Sequence, residues 1–237
     1  MSKCAINEYG ITSCDDCDLE KIPIEGLTRD YILNAETPFI ITNATEHWEA
    51  RNKWRYHNFL GNYSDHIFHL HDTYNKTVGE LMTTSGYKMG HVMNKNGCYA
   101  DPWRPYTPIL LSSLKYDYDI PNIFHPKSTF QIGMGLGKSL GVPPENHPSS
   151  WFTMIAGTKR WAISPPSEDT PPTVLDRSSR CDVNHEEKKL ICDQKAGEIL
   201  WLPSWWWHET CGLQTYNIGF GGITYNESNY YEHNPDD

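Results

Sequence analysis

Positive charge is scarce in this chain. Twenty Lys and Arg stand against 30 Asp and Glu, a formal net charge of −10 over 237 residues. No long basic run is present, which argues against direct binding of DNA or RNA, since such binding draws on a clustered basic face. Long apolar runs are absent too. No stretch approaches the ~20 residues that span a bilayer, and the opening Met1-Ser-Lys-Cys-Ala-Ile-Asn-Glu8 lacks the apolar core of a secretory leader. There is no internal repeat. Cysteine occurs seven times, at 4, 14, 17, 98, 181, 192 and 211, but not with the spacing of a zinc site: Cys14-Asp-Asp-Cys17 has no second C-x-x-C and no matched His pair. The acidic stretch around it also lacks the βαβ context of a thioredoxin-like motif. If the chain is lumenal, disulfides are the expected use, and the odd count leaves at least one thiol free or paired to another chain.

Aromatic residues are plentiful at 13%, with 17 Gly and 16 Pro. The length suits one substantial core, and this composition suits many short strands joined by tight turns better than a helical bundle. Helices are expected at Leu27–Asn34, with Thr28 as a possible cap, at Tyr56–Leu60, at Val78–Met82 and at Pro108–Leu114. Strands are expected at Phe39–Thr42, Asp65–His71, Thr129–Met134, Trp151–Ala156, Arg160–Ile163, Lys189–Asp193, Glu198–Leu202 and Tyr216–Gly222. The expected organisation is an irregular acidic segment over 1–24, one domain over 25–223, and a polar tail over 224–237.

The most informative stretch is Gly197-Glu-Ile-Leu-Trp201-Leu-Pro203-Ser-Trp205-Trp206-Trp207-His208, a strand running into an aromatic wall that carries one histidine. Such an apolar shell controls solvent access and local dielectric around a metal ligand. Upstream lies Trp151-Phe-Thr-Met-Ile-Ala-Gly157-Thr-Lys159-Arg160-Trp161-Ala-Ile-Ser-Pro165-Pro166, and nearer the N-terminus Thr37-Pro38-Phe-Ile-Ile-Thr followed by Trp48 and Trp54. The 197–208 segment resembles the G-[DE]-x-L-[FY]-[IVL]-P-x-x-W-W-H segment of the jumonji C (JmjC) family, the 151–166 segment its G-x-K-R-W-x-[LI]-x-P-P core and the 37–54 segment its first strand, and they come in the family's order with roughly its spacing. Trp201 stands where Phe or Tyr is usual. The resemblance spans about residues 20–223, and Gly141-Val142-Pro143 is most similar to the small ER-lumenal branch. It implies a mainly β protein, a double-stranded β-helix or cupin-like jelly roll with N-terminal helices packed outside.

The family's metal site is an H-x-[DE] pair plus a distal His, a facial triad holding Fe(II) with positions open for 2-oxoglutarate and dioxygen. His208 matches the distal His. Where the pair is expected, this chain reads Pro143-Pro144-Glu145-Asn146-His147, so the order is E-x-H. Two readings stay open. Residues i and i+2 share one face of a strand, so Glu145 and His147 can both enter the barrel and complete a triad with His208. Alternatively the prolines at 143, 144 and 148 hold the segment in a solvent-exposed loop or strand edge. Lys159 matches the lysine that binds the distal carboxylate of 2-oxoglutarate in several family hydroxylases. The resemblance therefore implies a 2-oxoglutarate-dependent dioxygenase acting on a protein or peptide side chain. The altered order leaves a second reading, a catalytically impaired JmjC-fold protein serving as a binding or scaffold module in the secretory pathway. His69-Leu-His71-Asp72 also alternates along a strand, but two surface histidines are its expected outcome.

Four N-x-[ST] sequons begin at Asn43, Asn62, Asn75 and Asn226, where chance supplies about one or two. With the cysteines they point to a glycoprotein of the endoplasmic reticulum lumen or secretory pathway, with Cys14 or Cys17 in a disulfide. Without a visible leader the alternative is the cytoplasm.

Overall fold

Strands buried on both faces set this architecture. Ser150–Ala156 is buried at its first six residues and Ile199–Leu202 throughout, as expected of strands with helices on one side and a second sheet on the other. The computed structural model describes residues 4–6, 12–14, 17–69, 75–83, 113–124, 128–136, 139–176, 181–183 and 189–224. Ten strands build two sheets: β1 Glu20–Pro23, β2 Phe39–Thr42, β3 Ser128–Leu136, β4 Ser139–Leu140, β5 Ser150–Ala156, β6 Thr158–Ser164, β7 Leu190–Lys195, β8 Ile199–Leu202, β9 Trp207–Gly212 and β10 Tyr216–Thr224. The larger sheet has the order β1-β2-β8-β5-β10-β3 and the smaller β7-β6-β9-β4. All pairings are antiparallel except β1 with β2. This is the mainly β, jelly-roll fold expected from the motifs.

Two clusters make most of the core. Phe152, Met154, Trp161, Ile163, Leu190, Cys192, Leu200 and Leu202 fill the space between the sheets. Trp151, Ile155, Ile199, Trp201, Ile218 and Phe220 face the other way, onto the helical layer. Helix α1, Arg29–Asn34, begins at Thr28, whose hydroxyl accepts from the Tyr31 N–H and satisfies one of the first-turn donors. Helices α2 (Ala50–Lys53), α3 (Tyr56–Tyr63) and α4 (Val78–Thr83) follow. Asp117, almost fully buried, accepts from Trp54, Lys53 and Tyr63 and ties this layer together. The turns at Gly157 and Gly197 have φ of 90° and 99°, a left-handed backbone open to glycine without steric cost. These are the glycines that open the two longest motifs. No helix among the described residues is long and apolar enough to cross a membrane.

The expected irregular segment over 1–24 needs correction. Residues 17–23 are built into the fold, because Leu19 buries its side chain between the sheets and β1 gains a parallel ladder with β2. Glu20 and Lys21 stay outside, Lys21 pairing with Glu198 at 2.7 Å. The helix expected at Pro108–Leu114 falls mostly outside the described residues, and the strand expected at Asp65–His71 is described only as Ile67–His69. The strand β9 is not among the expected strands, since Trp-His-Glu-Thr-Cys-Gly shows no apolar alternation.

Two disulfides fasten this frame, Cys17–Cys192 and Cys181–Cys211. Cys17 is thus the expected participant, its partner being Cys192. The Cys17–Cys192 bond closes a loop of 175 residues, for which chain entropy alone gives about 5 kcal/mol. Replacing both cysteines by alanine is expected to lower the unfolding free energy by ~2–5 kcal/mol in a non-reducing urea titration. An unchanged midpoint would show that the bond contributes nothing.

Candidate metal centre

The ligand candidates sit on two neighbouring strands. His208 lies in β9, which is flanked on one side by β6, Ile163 standing opposite His208. On the other side runs the segment that continues from β4. There Gly141 and Val142 share one partner, Thr210, through Gly141 N to Thr210 O and Thr210 N to Val142 O. This is a one-residue bulge, and a Cβ on Gly141 would collide with Thr210. Beyond the two prolines, Glu145 and His208 exchange a pair of backbone hydrogen bonds, of 3.0 and 2.9 Å. The Pro-rich stretch is therefore an irregular sheet edge, where a missing N–H costs no ladder bond.

Glu145 and His147, two residues apart, meet His208. The ligand atoms of the three lie within 4.8 Å of one another. Glu145 Oε1 is 3.7 Å from His208 Nε2, and the two imidazoles are 4.7 Å apart, edge to face. Each imidazole is held from behind by a backbone carbonyl: His147 Nδ1 at 2.7 Å from Pro148 O, His208 Nδ1 at 3.1 Å from Trp206 O. A carbonyl only accepts, so each Nδ1 carries a proton and each Nε2 is the ring nitrogen left for the shared space. Burial, then the neighbouring His147 and Lys159, hold His208 well below the usual histidine range, against the opposing pull of the Trp206 carbonyl. A neutral imidazole is the ligating form.

Trp205 braces the assembly. Its N–H donates to His147 O at 2.8 Å, from a backbone with φ of 68°. A bulky residue in this left-handed region stores roughly 1–3 kcal/mol of strain. Ser204 adds a second tie, its hydroxyl accepting from the Ser149 N–H.

Lys159 lies four residues from Ile163 along β6, about 13 Å by strand rise, and on the same face. Its ammonium is buried, 4.0 Å above the Phe152 ring and 4.4 Å above Trp161. Trp161 also touches His208, ring centroids 5.8 Å apart. Among the described residues no oxygen acceptor bonds the ammonium, and burial pulls its pKa down to about 7, with Glu145 partly opposing. Arg160 points the other way, its guanidinium paired in bidentate fashion with Asp193 and bonded to Cys181 O, a structural role. Of the alternating His69-Leu-His71-Asp72, His71, Asp72 and the His69 side chain lie outside the described residues. The orienting carbonyls of Pro148 and Trp206 and the Trp205 brace were not foreseen, because backbone groups leave no signature in residue identity.

Fold and site together define a cupin-type jelly roll with two imidazoles and a carboxylate converging on one point. No family profile matches the chain. Among curated proteins it is 24% identical over 228 residues to "Arginine-specific demethylase JMJ22" of Arabidopsis thaliana, covering 78% of this chain and 42% of that protein. It is 22% identical over 237 residues to "Bifunctional arginine demethylase and lysyl-hydroxylase psr-1" of Caenorhabditis briggsae, covering 81% and 56%. An 86-residue stretch is 36% identical to "JmjC domain-containing protein 8" of Homo sapiens, covering 33% of this chain and 32% of that protein. The chain spans less than half the length of the first relatives it matches. The relatives named here, the three motifs in order and the jelly roll make the chain similar to JmjC proteins over most of its length.

The buried lysine yields a stability prediction. Its folded pKa, about 7, lies below the usual 10.5, so the unfolded chain binds more protons between these values and stability rises with pH across that window. The penalty is at its full size below about pH 7 and fades toward 10.5. Lys159→Met is therefore expected to stabilise the protein by a few kcal/mol, on the order of ~3, at pH 6–7, with the gain shrinking as pH rises. Thermal melts across this range check it, and a destabilised variant at pH 6 would show that the ammonium has a strong partner.

Proposed function

We propose that this chain is a JmjC-type oxygenase in which Glu145, His147 and His208 hold Fe(II) and Lys159 holds 2-oxoglutarate. The observation that carries this reading is the convergence of the three ligand atoms. The donor set fits the metal: two neutral imidazoles and one carboxylate are the ligands of non-haem Fe(II) sites, whatever their order along the chain. The cosubstrate fits Lys159, since a buried ammonium resting on two aromatic rings is matched by a terminal carboxylate that neutralises it. Fe(II) with 2-oxoglutarate supplies chemistry that couples decarboxylation of the cosubstrate to hydroxylation of a C–H bond.

The chain's own residues do the rest. The carbonyls of Pro148 and Trp206 fix both imidazole tautomers. Phe152 and Trp161 exclude water along the path from Lys159 to His208. The strand spacing between these two residues suits a small dicarboxylate. The substrate class we assign is a protein or peptide side chain, in keeping with relatives named as arginine and lysine demethylases and a lysyl-hydroxylase, and the net charge of −10 favours a basic peptide. The two core disulfides, the sequons and the partial likeness to JmjC domain-containing protein 8 favour an oxidising secretory compartment such as the endoplasmic reticulum lumen.

Anaerobic calorimetric titration tests the site. The wild type is expected to bind one equivalent of Fe(II), and His208→Ala, His147→Ala and Glu145→Ala each to weaken binding at least ~10-fold. Lys159→Met is expected to leave the metal in place and weaken 2-oxoglutarate ~10–100-fold, the worth of a charged hydrogen bond. Unchanged metal affinity in the three ligand variants would remove the proposal.

A further inference from the structure

We infer that Asn43 and Asn62 are N-glycosylated, each exposed asparagine bearing one oligosaccharide. Both open an N-x-[ST] sequon whose middle residue is not proline, Asn43-Ala-Thr45 and Asn62-Tyr-Ser64, and both asparagines are exposed, as a bulky, solvated modification requires. Neither side-chain amide has a hydrogen-bond partner among the described residues. Asn62 lies in the last turns of α3, where asparagine is a poor helix former and gives nothing to the fold. Its neighbours Phe59 and Tyr63 are buried against the outer face of the larger sheet, which directs Asn62 to solvent on the side away from the inter-sheet space.

Asn43 follows the last residue of β2 with φ of 62°, a conformation asparagine accepts better than most residues. The sequon's Thr45 is buried and its hydroxyl donates to Gly197 O at 2.9 Å. That anchors the turn at the end of the larger sheet where Ile41 pairs with Ile199. The ligand cluster lies beyond the opposite end, where Leu202 pairs with Ser150. Glycans at both positions therefore leave the metal centre open. The side chains of Asn75 and Asn226 lie outside the described residues.

The disulfides Cys17–Cys192 and Cys181–Cys211 supply an independent argument, since such bonds persist where secreted chains mature, the compartment that also holds the glycan donor. In the transfer, the asparagine Nδ2 forms a bond to the anomeric carbon of a lipid-linked oligosaccharide, and the carbon–oxygen bond to the lipid pyrophosphate breaks. The pyrophosphate leaves with the electron pair, and one amide proton is lost to a base on the host transferase. No oxidant or reductant is consumed.

The test uses the full-length protein expressed in a eukaryotic cell, purified and treated with peptide-N-glycosidase, which leaves aspartate at each former site. The wild type is expected to gain mobility on treatment, with peptide mapping reading aspartate at 43 and 62. Asn43→Asp keeps a short side chain suited to a left-handed backbone, and Asn62→Gln sits on an exposed helical face, so each is expected to lose one glycan step while retaining both disulfides and Fe(II) affinity. The double variant is expected to lose two steps. An unmodified asparagine at either position overturns the assignment there, and no mobility change in the wild type overturns it entirely. Because the readout is mass and mobility, failure here is distinguishable from failure of the oxygenase reading.

Discussion

The backbone pair between Glu145 and His208 is the constraint on which the candidate site depends. These two hydrogen bonds join the edge segment to β9 and set its register. A strand repeats every two residues, so fixing Glu145 opposite His208 also places His147 on the same face, and a slip of one residue would turn both ligands out. The edge accommodates its prolines because residues 141–144 stand against only 209 and 210, and the bulge at Gly141 and Val142 takes up one of the two extra residues before the pair is made. Trp205 then secures the far end by donating to the His147 carbonyl. Carboxylate and imidazole can thus exchange places in sequence while the same three donors converge.

The other half of the chamber depends on small residues elsewhere. Lys159 is held over Phe152 and Trp161, and Phe152 can lie flat against the sheet because β10 carries glycine at 219 and 221, where any side chain would strike its ring or the adjacent backbone. Trp161 is fixed in turn by its indole N–H, which donates to Gln194, itself bonded to Phe152 O and Glu198 O. The fold keeps an ammonium in an apolar pocket at a cost to its own stability, which an anionic occupant would offset.

Several elements were legible from residue order. Helix α1 was readable from Thr28, and most barrel strands from short apolar runs between glycines and prolines. The jelly roll and the resemblance to JmjC proteins followed from three motifs in order. β1 was not legible, because Glu20-Lys21-Ile-Pro has the composition of a loop and becomes a strand only when Leu19 is buried and β2 offers its edge. β9 was hidden because its centre, His208-Glu209-Thr210, is polar in sequence yet buried in the fold.

By itself the sequence determined the fold class, the resemblance to JmjC proteins, the acidic balance and the identities of His208 and Lys159 as residues to watch, since these depend on local composition and motif order. Whether Pro143-Pro144-Glu145-Asn146-His147 is a solvent-exposed loop or a sheet edge that brings Glu145 and His147 to His208, and which cysteines are joined, was decided only by tertiary structure. Each choice is made by a partner distant in the chain, 63 residues from Glu145 to His208 (208 − 145) and 175 from Cys17 to Cys192. Local preference carries no information about contacts at that separation, because they form only when the two sheets close on one core.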